Sequence, residues 1–107
     1  MLISEVATSN VRRIGQHTVE LELFMSSMRG MGRQEYSRLE ASLPEDIHLV
    51  ELDAVDSSDG FWIKMGFSPK FVGDEDDIGS LVHVLWKGVN GHPTPAPREP
   101  TDEDLDQ

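Results

Sequence analysis

The chain has 107 residues, with 9 Lys and Arg against 20 Asp and Glu, a formal net charge of -11 and no cysteine. The missing cysteine excludes disulfides, thiolate metal sites and a cysteine nucleophile, and points to a reducing cytoplasmic compartment; the acidic balance argues against direct nucleic-acid binding, which needs a basic face. No apolar run approaches the roughly 18 residues of a membrane span, so no membrane partner is expected, and the length allows one domain with a modest core.

In chain order, residues 2–7 and Thr18–Met25 read as a hairpin turning around Ser9-Asn10 and Gly15. In the second of these, Val19, Leu21, Leu23 and Met25 alternate with Thr18, Glu20, Glu22 and Phe24, the period of a half-buried strand. From 31 to 43, Tyr36, Leu39 and Leu43 recur at helical spacing and Pro44 closes the segment. Residues 47–54 suit a buried strand. Asp56-Ser57-Ser58-Asp59 then offers helix caps for a helix through Phe61, Trp62 and Met65, with Gly66 as its stop. Residues 67–72 and 80–86 read as two antiparallel strands joined across Gly73 to Asp77. Beyond Val89 the chain turns acidic and Pro-rich, so 1–89 is predicted as the domain and 90–107 as a disordered tail.

Two short stretches carry chemistry. Ser27-Met28-Arg29-Gly30-Met31-Gly32 falls between a predicted strand and helix, where glycines let the backbone approach an anion and the first helical N–H groups point at it. Phe61-Trp62-Ile63-Lys64-Met65-Gly66-Phe67 follows about thirty residues later. Together they resemble the GNAT superfamily of N-acetyltransferases: Gly30 and Gly32 match the small positions of its coenzyme A loop, and the second stretch matches a family segment like Phe-Tyr-x-Lys-Leu-Gly-Phe. The resemblance spans residues 18–86. It implies a single α/β (α+β) domain with a mixed, mostly antiparallel sheet, two helices and splayed central strands.

The same resemblance implies acetyl-CoA as cofactor and a primary amine, small molecule or protein lysine, as acceptor. It assigns cofactor contacts to Phe24, Met25 and Ser26 at the strand end, to Arg29, Gly30, Met31, Gly32 and Arg33 in the loop, and to Trp62 and Lys64 on the later helix. The pantetheine arm would pair with backbone in the gap between the strand ending at Met25 and residues 47–54. Glu22 and Asp53, at the ends of those strands, are the candidate catalytic bases. Three departures stand out: Ser27 replaces the family's basic or amide residue, Arg33 a small hydroxyl residue, and Trp62 a tyrosine whose hydroxyl returns a proton to the coenzyme A thiolate. Indole N–H is not acidic enough for that task. The chain is also short for the family, so a homodimer partner would rebuild the acceptor wall.

Charge is unevenly placed. Residues 1–43 carry five basic and five acidic side chains, and 44–92 carry three and ten, which suits an anionic cofactor beside a cationic acceptor. The alternative function is a catalytically degenerate acidic interaction protein that binds a protein partner. A generic α+β domain in which both motifs are coincidence is a third reading. Asp74 to Asp77 lacks the ligand alternation of a calcium loop and reads as a solvated turn. His17, His48, His83 and His92 show no metal spacing, and His83 reads as a solvent-facing strand residue rather than a base.

Overall fold

The computed structural model describes residues 8–25, 32–54 and 58–105. A five-stranded sheet runs β1 (Thr8–Arg13), β2 (Thr18–Met25), β3 (Leu49–Asp53), β5 (Val84–Gly88) and β4 (Ser68–Pro69) across its width. The β2–β3 ladder is parallel and the other three are antiparallel. Helices α1 (Gly32–Ala41) and α2 (Asp59–Lys64) connect strands, and two single-turn helices follow, α3 (Glu75–Ile78) and α4 (Asp102–Leu105). This is the expected mixed, mostly antiparallel α+β sheet.

The hairpin differs from expectation. Its first strand is Thr8–Arg13, not residues 2–7, which lie outside the described residues. Ser9 and Asn10 are extended and paired with Phe24 and Leu23, and the turn falls at Gly15, where Ile14 and Gly15 donate to Thr18 O. Arg12 and Glu20 sit opposite each other and pair at 2.8 Å, which favours this register.

On one face of the sheet lies a single core. Val19, Leu21, Val50, Leu52 and Leu85 from the strands meet Tyr36 of α1, Trp62 of α2 and Phe67. Tyr36, Phe61 and Phe67 all contact Trp62 edge-on, at centroid distances of 4.9 to 5.5 Å. Helix α1 stops at Ala41, two residues short of the predicted end, because its last turn loosens before Pro44: Ser42 N donates to Arg38 O and Leu43 N only to Glu40 O.

Helix α2 ends in a tight stop. Gly66 has φ +101°, Phe67 N donates to Trp62 O and Gly66 N to Ile63 O, and the Phe67 ring packs on Trp62 at 5.4 Å. That is a Schellman motif with its apolar clasp. Downstream, the expected strand over 67–72 shrinks to Ser68–Pro69, and 80–86 splits into a 3-10 turn (Gly79–His83) followed by β5. Between these two segments Asp74 starts a separate helical turn. Its carboxylate accepts from Asp77 N and starts α3, and Gly79 at φ +57° ends it.

Residues 90–105, where composition predicts a disordered tail, run instead as a strap over the opposite face. Thr94 Oγ1 accepts from Gly88 N, Pro95 O accepts from Trp86 Nε1, and Arg98 exchanges backbone bonds with Lys70 and Val72. Thr101 and Asp104 cap each other at the start of α4, and Arg98 lies over the Phe71 ring at 5.0 Å. Composition missed this because the strap's partners, Trp86 and Phe71, are distant in sequence and supply the apolar surface it lacks.

Candidate functional site

The β2–β3 ladder runs from Thr18 opposite Leu49 to Leu21 opposite Leu52 and ends there. Strand β2 continues for four more residues, still paired with β1 on its other side. Among the described residues, its Glu22–Met25 backbone has no ladder partner on the β3 side, which is the arrangement an added extended ligand needs. Glu22 is also the extra residue of a β-bulge, since Asn10 pairs with Leu23 and Val11 with Leu21. Bulges commonly re-aim a side chain beside a site.

Both candidate bases follow directly on the last β2–β3 pair, Leu21 with Leu52. Glu22 accepts from Asn10 Nδ2 at 3.2 Å and lies 3.8 Å from Arg12 Nε. Asp53 is exposed and pairs across to Val84. It belongs to a cleft of about 350 Å³ on the strap face, with Glu20, Glu51, Lys70 and Asp104. Lys70 Nζ donates to Glu51 at 2.7 Å, with both side chains 15% exposed.

Of the cofactor contacts, Phe24 and Met25 fall on the stretch of β2 that pairs with β1 but not with β3. Ser26, Arg29, Gly30 and Met31 lie outside the described residues. Gly32 opens α1, and a Cβ there would meet the Phe61 ring at 3.0 Å, so close packing against α2 requires a small residue whatever the loop binds. Arg33 and Lys64 come together in a second cleft of about 380 Å³ between α1 and α2, with Tyr36, Glu40, Met65 and Lys87. Lys87 donates to Glu40 at 2.7 Å, and burial together with Glu40 pushes the Tyr36 hydroxyl pKa up. Trp62 stands apart from this cleft, 6% exposed in the core.

Two of the basic residues of the N-terminal half lie away from the helix start. Arg12 pairs with Glu20 and Arg13 with Asp46 at 3.1 Å, so those two cations belong to the hairpin. Among the described residues no group of three potential ligands could hold a metal ion.

Three features escaped sequence reasoning. Glu35, in the first turn of α1, is 6% exposed, and neither carboxylate oxygen has a partner among the described residues. His17, His48 and His92 stack at centroid distances of 4.2 and 3.7 Å where β3 begins, and partial desolvation with the neighbouring imidazoles lowers the His48 pKa. At the opposite end, His83 Nδ1 donates to Asp59 Oδ2 at 2.9 Å, and that bond, followed by the charges of Asp59, Asp53 and Glu75, raises the His83 pKa. No spacing rule connects residues 24 positions apart.

No known family profile matches the sequence, and no curated protein does. Among solved structures, the chain is similar to the crystal structure of Tetrahymena GCN5, with a TM-score of 0.62 and 12% identity over 84% of this chain. It spans 64% of the length of that structure's chain. The fold is GNAT-like. Among the described residues, no helix is long and apolar enough to cross a membrane.

Proposed function

We propose that the protein is an acetyl-CoA-dependent N-acetyltransferase acting on a primary amine, either a small molecule or a protein lysine. The observation that carries this reading is the early end of the β2–β3 ladder at Leu21 and Leu52, beside a β2 that runs on to Met25 and just before helix α1. A pantetheine arm would take the place of the missing β3 pairing, with its amides bonded to backbone between Glu22 and Met25. The start of α1 and Arg33 would hold the phosphates.

In the gap, amine and thioester would be fixed by orientation, the largest contribution available where no covalent intermediate forms. Backbone N–H groups freed by the bulge would polarise the thioester carbonyl. Glu22 would take a proton from the acceptor nitrogen so that the free amine attacks, with Asp53 placed to hold the charge of the incoming ammonium. Acidic side chains on the strap face favour a cationic acceptor.

The burial of Trp62 favours a second reading. With its indole committed to the core, the usual phenol acid is absent, as in an interaction protein on a degenerate scaffold. Calorimetric titration with acetyl-CoA, coenzyme A and ATP separates the two. Micromolar binding confined to the coenzyme A compounds supports acyl transfer, and no heat at millimolar ligand moves the assignment to the interaction protein.

A further inference from the structure

His83 and Asp59 form a second titratable cluster at the open end of the sheet. The carbonyl of His83 accepts from Ala54 N at 2.9 Å, so His83 lies alongside the residue that follows β3. Asp59 opens α2, and its Oδ2 holds His83 Nδ1 at 2.9 Å. An ionised carboxylate only accepts, so Nδ1 keeps its proton, and Nε2 across the ring is where a proton is gained and lost. Asp59 also stands three residues before Trp62. On a helix that puts the two on adjacent turns of one face, about 5–6 Å apart at Cβ. Thus the motif position whose indole cannot serve as an acid has a carboxylate-held histidine anchored one turn away.

We propose that His83, positioned by Asp59, is the acid that protonates the departing coenzyme A thiolate. The role rests on the acyl-transfer reading above. As the amine lone pair forms the new C–N bond, the C–S bond breaks and its electron pair leaves on sulfur. The Nε2 proton passes to that sulfur, giving a free thiol and a neutral imidazole, which regains a proton from solvent. The proton shed by the amine goes separately to Glu22 or water. Among the described residues, the charges that act on the ring are those of Asp59 from α2, Asp53 from β3 and Glu75 from α3. All three are acidic and favour the imidazolium, the form an acid must hold at neutral pH.

The test uses the full chain, acetyl-CoA, and spermidine and polylysine as acceptors, following thiol release from pH 6 to 9 while calorimetry tracks coenzyme A affinity. In the wild type kcat falls as pH rises through the raised His83 pKa. His83→Gln lowers kcat about 100-fold, abolishes that fall, and leaves KM for acetyl-CoA and coenzyme A affinity unchanged. Asp59→Asn costs less and moves the fall to lower pH. If His83→Gln keeps both the rate and the pH profile, the proposal is overturned while acyl transfer stands. Selective coenzyme A binding with no turnover of either amine also overturns it, since no thiolate is then released. A wild type that neither binds coenzyme A nor releases thiol removes the acyl-transfer reading and this role with it.

Discussion

The two faces of the sheet are built on different physics. The helical face is an apolar core in which Trp62 touches three other rings. The strap face carries Glu20, Glu51, Asp53 and Lys70, and its buried rings, Trp86 at 7% and Phe71 at 6% exposure, are covered by a Pro-rich segment with little apolar content. One face is held by area removed from water, the other by hydrogen bonds and charge pairs around the Trp86 and Phe71 rings. The first should set stability and the second access to the opening between β2 and β3.

The sharpest way to break the contrast is Trp62→Ala. It removes the ring at the centre of the helical face and is expected to cost about 3–5 kcal/mol, read as a lower denaturant midpoint with cooperative unfolding lost first in α2. Ending the chain after His92 removes the strap. That should cost roughly 2–4 kcal/mol through exposure of Trp86 and Phe71, red-shift Trp86 emission, and leave the near-ultraviolet signal of the helical-face rings intact. A strap-less chain that unfolds as readily as Trp62→Ala would show the two faces to be one cooperative unit. Gly66→Ala tests the Schellman stop: φ +101° is unfavourable for a residue with a Cβ and the Lys87 side chain would lie 3.0 Å away, so a loss of about 1–2 kcal/mol is expected in thermal melts.

The smallest effects concern pH, and they oppose each other at the two ends of the sheet. The folded pKa of His48 is lowered, so its contribution is present above the unfolded value of 6.5 and is lost as pH falls through the folded pKa. That of His83 is raised, so its contribution is full below the unfolded value and is lost as pH rises through the folded pKa. Stability curves of His48→Gln and His83→Gln should therefore diverge from wild type on opposite sides of neutrality. NMR titration of the imidazole C2 protons should place the two midpoints on either side of 6.5, and coincident midpoints would remove the distinction.

The second motif shows why part of the site was legible in the sequence. Trp62, Gly66 and Phe67 were read as a family signature, and in the structure they are first a helix stop: the glycine takes the left-handed turn and the rings clasp across it. Gly32 likewise has a packing reason in Phe61. Such motifs are visible because local backbone geometry demands particular residues at fixed spacing. Strand β2 was legible for the same kind of reason, since Val19 and Leu21 alternate onto one buried face. Arg33 and Lys64 were picked out one by one, and the shared cleft that joins them was not.

By itself, then, the sequence determined the order and type of the main elements, the buried side of β2, the stop after Met65 and the exclusion of thiol chemistry. These follow from short-range periodicity, from glycine's access to positive φ and from composition. Tertiary structure alone decided where the β2–β3 ladder ends, that Glu22 sits on a bulge, that the tail straps Trp86, and that His83 meets Asp59. Each of these depends on register or on contact between distant segments, and the free energy that fixes them belongs to the packed sheet as a whole rather than to any stretch of chain.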